Sequence, residues 1–266
     1  MTDQTKIQNY DSYISRMNRG MLDKLFFLDK IDADIFVDFG SADGQLIFHM
    51  NDILSKEERE FKFIGYDIDS EMVKRGNDKF QDKNNVLFTT DWTEVQSQID
   101  SDKKSAVILS SIIHEIYHYL DVKQVEEFWN KIYNSGFDYI IIRDMVPSRT
   151  IDRESDVNDV TKVYRKFFNT KPLMDFESIW GRIDNNKNLV HFLLKYKYVE
   201  PNWDREVKEN YLPIYRENLL ASIPIEYDIS YHEHFILPYI KGIVKDDFGI
   251  ELKDNTHFKL ILETNK

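Results

Sequence analysis

The chain has no cysteine. Structural disulfides, thiolate zinc sites and a cysteine nucleophile of its own are therefore excluded. No uninterrupted apolar run approaches the ~20 residues of a membrane-spanning helix, and the opening Met1-Thr-Asp-Gln-Thr-Lys6 has no apolar signal-like stretch. Positive charge is in short supply, with 35 Lys and Arg against 47 Asp and Glu. The resulting net charge of -12 works against adhesion to phosphate backbones or anionic lipid. A soluble, cytoplasmic protein is expected. Glycine and proline are also sparse, 9 and 6 of 266 residues, and no low-complexity linker or internal repeat is evident. At 42% hydrophobic, a chain of this length buries a large core as one domain, or as one domain carrying an insertion.

Within that composition the run Ile35-Phe-Val-Asp-Phe-Gly-Ser-Ala-Asp-Gly44 reads as a buried strand entering a glycine-punctuated turn. Such a turn lets a nucleotide-like ligand approach the backbone, and an acid at the end of the next strand grips its ribose. Asp67 stands there, closing Phe61-Lys-Phe-Ile-Gly-Tyr-Asp67. Strand-like segments at 35–39, 61–67, 86–90, 106–110 and 139–143 alternate with helical ones at 45–54, 70–80, near Glu94 and at 122–133. This alternation implies a parallel sheet covered on both faces. Apolar residues at three- and four-residue steps predict an amphipathic helix over 13–31 in front of the first strand. The alternation stops after Pro147. Residues 147–226 read as a mostly helical insertion, with Tyr196, Tyr198, Trp203, Tyr211 and Tyr215 either packing as core or forming a recognition surface. The tail predicts a strand at 227–235, a helix around 238–247 and a final strand at 258–263.

With strand, turn and acid in this order, the chain resembles the class I S-adenosylmethionine (SAM)-dependent methyltransferases over about residues 31–146. The family's acid-x-Gly-x-Gly-x-Gly is matched by Asp38, Gly40, Ala42 and Gly44, with alanine at the middle glycine. The resemblance implies an α/β, Rossmann-like, mostly parallel seven-stranded sheet with an antiparallel last strand. It divides the chain into a covering helix (1–30), a SAM-binding core (31–146), a helical insertion for substrate recognition (147–226) and C-terminal elements completing the core (227–266). It further implies that Asp38 meets the cofactor's ammonium, that the Gly40-Ser41 to Gly44 backbone underlies its methionine part, and that Asp67, followed by Ile68, holds the ribose. Asp91 and Trp92 would meet the adenine, and Ser110 the fourth-strand side of the site. A carboxylate suits both acid positions because it only accepts and has several lone-pair sites. From the residues alone, Asp91 is equally a helix N-cap, and Asp69 or Ser70 is a better cap than Asp67. The Gly-x-Gly-x-x-Gly spacing of NAD enzymes is not supplied.

His114-Glu115-Ile-Tyr-His118 matches the H-E-x-x-H of zinc hydrolases, but it follows the fourth strand of a sheet already committed to a cofactor. It stands where the resembled family places substrate-facing residues. His114, Glu115 and Asp144 are therefore the candidate general bases for an oxygen or nitrogen acceptor. The acceptor is a small molecule or an RNA. An Asn/Asp-Pro-Pro-aromatic motif for amino-methylation of DNA is absent, and cytosine-C5 chemistry lacks its cysteine. A zinc hydrolase and a non-catalytic SAM-binding partner subunit are the alternatives. In the tail, His232 and His234 fall on one face of a strand, and Thr256-His257 opens the last one.

Overall fold

The computed structural model describes residues 20–198 and 202–265. They form two compact units. The larger comprises residues 20–144, Ile223–Glu233 and 259–265, and the smaller Met145–Ser222 and His234–Phe258.

The larger unit alternates strand and helix: β1 (Ile35–Phe39), α2 (Gln45–Leu54), β2 (Lys62–Tyr66), α3 (Ser70–Lys79), β3 (Val86–Thr89), α4 (Trp92–Ser97), β4 (Ser105–Ser110), α5 (Ile113–Tyr119), α6 (Val122–Tyr133) and β5 (Tyr139–Met145). With β6 (Tyr227–Phe235) and β7 (His257–Thr264) these strands make one seven-stranded sheet of order β3-β2-β1-β4-β5-β7-β6. β1 pairs in parallel with β2 (Asp38 opposite Gly65) and with β4 (Asp38 opposite Ile108). β2–β3 and β4–β5 are parallel as well. The Thr264 N–H donates to the Asp138 carbonyl and the Val146 N–H to the Thr256 carbonyl, both at 2.9 Å. Residue numbers thus run in opposite senses along β5 and β7. The same holds for β7 and β6, joined by Thr256 N–H to Phe235 and Asn265 N–H to Glu226. Six strands are therefore parallel and only β7 is antiparallel. Every residue of β1 and β4 is buried, which is why these strands read as unbroken apolar runs rather than as alternation.

Instead of the helix predicted over 13–31, the described part contains one helical turn, α1 (Met21–Lys24). Gly20 at φ +87° opens it, and i→i−3 bonds from Leu28 to Leu25 and from Lys30 to Phe27 turn the chain after it. Residues before Gly20 lie outside the described residues. Tertiary packing overrides the periodicity: the turns place Phe27, fully buried, 6.2 Å from the Phe36 ring, which stacks on Phe63 at 5.8 Å. Fully burying one such ring contributes ~1.5–3 kcal/mol, more than the lost helical turns.

The smaller unit is helical, with α7 (Val157–Phe167), α8 (Lys171–Trp180), α9 (Asn186–Lys195), α10 (Trp203–Glu206), α11 (Arg216–Ala221) and α12 (Pro238–Phe248). It has its own core, to which Tyr196, Trp203 and Tyr211 belong, along with Ile240, Val244 and Phe248 of α12. Those three aromatics of the insertion are packing residues. Among the described residues no helix is long and apolar enough to cross a membrane.

Candidate active site

The strand-to-helix turn after β1 runs through three left-handed residues: Gly40 at φ +77°, Ala42 at +46° and Gly44 at +78°. Alanine at the middle position adopts the conformation that glycine takes without cost, so the turn is retained with local strain. Strand β2 secures it. The N–H groups of Gly40 and Ser41 donate to the Tyr66 carbonyl at 2.8 and 3.1 Å. The Asp67 carboxylate then accepts from the Ala42 N–H through Oδ2 and from the Asp69 N–H through Oδ1, both at 2.9 Å. Asp67 thus ties the turn after β1 to the loop after β2, and a carboxylate still has acceptor sites left for hydroxyl donors. Burial raises its pKa, and the amides of Asp69, Ala42 and Ile68 counter that rise. Beside it Ile68 is 70% exposed, an apolar side chain presented to solvent next to an acid. Asp69, by contrast, caps α3 by accepting from the Glu71 N–H at 2.9 Å.

Inside the turn, Asp38 is buried. Burial raises its pKa to about 7, Asp67 adding to the rise and Lys24 opposing it. Lys24, from α1, lines the same small cavity together with Gly40, Ser41, Gln45 and Ser110. Its pKa falls to about 8 through burial and the nearby Arg143 guanidinium, against the pull of Asp38, Asp144 and Asp23. The hydroxyls of Ser41 and Ser110 are buried and unpartnered among the described residues. Lys24 escaped the sequence reading, although the sequence carries a signal: it is a lysine on the Met21-Leu25-Leu28 apolar face.

On the adjoining loop Asp91 accepts from the Thr93 N–H at 2.8 Å and so is the N-cap of α4. It is exposed, which leaves further acceptor capacity. The Trp92 ring packs among Phe39, Tyr66 and Phe137 at centroid distances of 5.4, 5.1 and 6.2 Å.

At the exits of β4 and β5 a second constellation forms. Ser111 takes φ +60°, and its N–H donates to the Arg143 carbonyl at 2.8 Å. Asp144, fully buried, accepts from the Ile113 and His114 N–H groups at 2.6 and 3.2 Å and meets His114 Nδ1 at 2.6 Å. One carboxylate therefore anchors the start of α5 and fixes the His114 ring. Glu115, the next residue of α5, is half-buried. His118 stands one turn on, its ring 4.4 Å from that of Tyr119. Among the described residues His114 and Glu115 of this motif belong to a group of three metal-capable donors within 4.8 Å of one another, and His118 does not. In the tail, His234 is held by the Arg216 guanidinium at 3.1 Å and His257 by the Thr256 hydroxyl at 2.9 Å. His232 is exposed.

No protein-family model matches this sequence, and no curated protein matches it. Solved structures do. The plantazolicin methyltransferase BamL, in complex with a triazolic desmethylPZN analog and SAH, superposes with a TM-score of 0.52 at 11% identity, covering 97% of this chain and 88% of that one. The plantazolicin methyltransferase BpumL, with the same pair of ligands, gives 0.50 at 11% identity, over 97% and 89% of the two chains. Together with the strand order and the antiparallel β7, these likenesses show that the chain has the class I methyltransferase fold.

Proposed function

We propose that this chain is a cytoplasmic SAM-dependent methyltransferase acting on an oxygen or nitrogen of a small molecule or an RNA. The observation that carries the reading is the Asp67 carboxylate, which holds the Ala42 and Asp69 amides and so fixes the paired loops at the carboxyl ends of β1 and β2. Ligands of open α/β sheets bind at that edge. The residues fit the cofactor. The buried hydroxyls of Ser41 and Ser110 have no partner among the described residues, Asp38 is a buried acceptor, and Gly40 leaves the backbone bare. In this reading Asp67 accepts from the ribose hydroxyls, Asp38 from the ammonium, and the backbone from Gly40 to Gly44 underlies the methionine part. Ile68 stands beside the ribose acid, and Asp91 and Trp92 serve the adenine. The bound cofactor supplies a methyl group on a positively charged sulfur, which leaves as a neutral thioether.

The protein's own contribution is alignment and proton removal. His114 takes the proton of a hydroxyl acceptor at Nε2 as the oxygen–methyl bond forms. Asp144 accepts the Nδ1–H, sets the tautomer and stabilises the imidazolium. Asp144 is thus a positioning residue, and Glu115 stays the second candidate base. The insertion at 147–226 serves acceptor recognition, and the net charge of -12 favours a small or neutral acceptor.

The test is calorimetric titration of metal-free protein with SAM and S-adenosylhomocysteine (SAH), beside Asp67→Ala and elemental analysis for zinc. Saturable binding lost in Asp67→Ala is the expected result. A folded protein that binds neither, and carries stoichiometric zinc, would overturn the reading.

A further inference from the structure

At the amino ends of β1 to β4, on the edge of the sheet opposite Asp38 and Asp67, the larger unit has a cleft of about 500 Å³. That is the size of a small-molecule site. Its floor combines the buried side chains of Phe61 and Phe63 with the half-buried ones of Asn51, Lys62, Asn85 and Gln98. The hydrogen bonds of this floor determine which polar groups are left over. The Phe61 carbonyl only accepts, so it takes the Asn85 Nδ2 at 3.0 Å, and the same nitrogen donates to Asn51 Oδ1 at 3.3 Å. Both amides are thereby oriented. Asn51 keeps its Nδ2 hydrogens and Asn85 its Oδ1, without a partner among the described residues. The Lys62 ammonium only donates, so it takes Gln98 Oε1 at 2.5 Å and has two N–H groups to spare. Asp34 accepts from Arg59 Nε through Oδ1 at 2.7 Å, which leaves Oδ2.

Donors on Asn51 and Lys62 therefore stand in one cleft with acceptors on Asn85 and Asp34. Its formal charges cancel, Arg59, Lys62 and Lys103 against Asp34, Glu60 and Asp100. The C-terminal ends of α2 and α4 open on it at Ser55 and Gln98, and helix C-termini carry negative partial charge. Both features work against a phosphate or carboxylate ligand. The spare groups come from four separate segments: α2, β2 and the residues just before β1 and β3. A hydroxyl offers one donor and two acceptor sites, so hydroxyls distributed around a ring can satisfy all four, whereas a nucleobase presents its donors and acceptors along edges in one plane. We propose that this cleft is a second ligand site, which takes a neutral, polyhydroxylated compound of mono- or disaccharide size on Asn51, Lys62, Asn85 and Asp34. The site is independent of the methyltransferase reading, because it lies at the other edge of the sheet.

The test is titration of nitrogen-15-labelled protein with glucose, galactose, mannose, sucrose, maltose and trehalose, and separately with adenosine and inorganic phosphate, read by amide chemical shifts. At least one sugar is expected to shift the side-chain amide signals of Asn51 and Asn85 saturably, together with the backbone of residues 59–63, while Gly40 to Gly44 stay unmoved. Asn51→Ala removes a spare donor and places a good helix former in α2. It should weaken that sugar by about three- to tenfold, the size of a neutral hydrogen bond. Lys62→Met should weaken it at least as much, and decides the matter should Asn51→Ala fail to fold. The inference is overturned if no sugar moves the Asn51 and Asn85 signals, or if adenosine or phosphate alone does. Wild-type affinity in both variants overturns it as well.

Discussion

The carboxylate of Asp144 meets three donors at once, two backbone amides at the start of α5 and the ring of His114, at zero exposure. The helix-start bonds and the ring bond have different consequences when broken. His114→Gln leaves the loops after β1 and β2 untouched. It is expected to lower kcat for a hydroxyl acceptor by roughly 10²-fold or more while SAH affinity stays within about twofold. Asp144→Asn retains an oxygen for the helix amides but offers an N–H where the ring nitrogen needs an acceptor. Its turnover should fall comparably, with a stability loss of ~1–3 kcal/mol from the disturbed buried network. Steady-state kinetics beside calorimetry separates the two effects. Unchanged kcat in His114→Gln would move the base to Glu115 or remove it from the mechanism.

Between elements, a single ring packs the edge of the sheet where β1 and β2 end. Phe88 of β3 lies against three glycines from three elements. A Cβ at Gly44 would stand 2.3 Å from the ring, one at Gly65 of β2 also 2.3 Å, and one at Gly76 of α3 2.6 Å. Helix propensity says Gly76→Ala should stabilise by about 1 kcal/mol. The ring reverses the sign, and overpacking of this kind costs ~1–3 kcal/mol. Gly76→Ala is therefore expected to lower the denaturant midpoint, and Phe88→Leu in the same chain to recover part of it. A midpoint raised by Gly76→Ala alone would show that Phe88 can move aside.

This wedge was invisible in the sequence, because it depends on three glycines 11 to 32 positions apart converging on one side chain. The strands were legible for the opposite reason. Burial on both faces leaves β1, β2 and β4 as apolar runs bounded by turns, and Asp38, Gly40 and Asp67 follow from strand ends. What misled was α1, where the three- and four-residue spacing of Met21, Leu25 and Leu28 predicts a continuing helix. Two i→i−3 turns instead carry Phe27 into the core and leave Lys24 in the cavity. The role of Asp144 as partner of His114 was likewise hidden, since the contact joins residues 30 apart on neighbouring strand exits.

For the molecule as a whole, stability should depend on pH in a way set by the cavity. Asp38 has an ordinary pKa of 3.8 and a folded value of about 7, with Lys24 and Asp67 as the charged groups acting on it. A folded-state pKa above the unfolded one makes the folded protein bind more protons between those values, so stability is fully present below about pH 4 and is lost as pH rises towards 7. The shift corresponds to at most ~4 kcal/mol at 1.36 kcal/mol per unit. Asp67, also raised, acts in the same direction. So does the whole-chain charge, which grows from neutrality near pI 5.1 to -12 at pH 7. His234, lowered by burial and by Arg216, opposes weakly below 6.5. Carboxylates held below their ordinary values set the acid limit, among them Asp247 beside Lys197 and Tyr196, and Glu217, lowered to about 2 by the Arg149 amide and Ser148 hydroxyl despite burial; their contributions are lost as pH falls below the ordinary 3.8 and 4.5. Lys24, lowered to about 8, adds stability only as pH rises from there towards 10.5. The ligand-free protein is therefore expected to melt highest near pH 5–6 and several degrees lower at pH 7.5, at ~2–4 °C per kcal/mol for a chain of this size. A zwitterionic head group supplies an ammonium to Asp38, so saturating SAH should raise the melting temperature more at pH 7.5 than at pH 5.5. Asp38→Asn should flatten the ligand-free profile between those pH values. Scanning calorimetry across that range, with and without SAH, decides the matter: a profile unchanged by Asp38→Asn would place the pH dependence in the overall charge and not in the cavity.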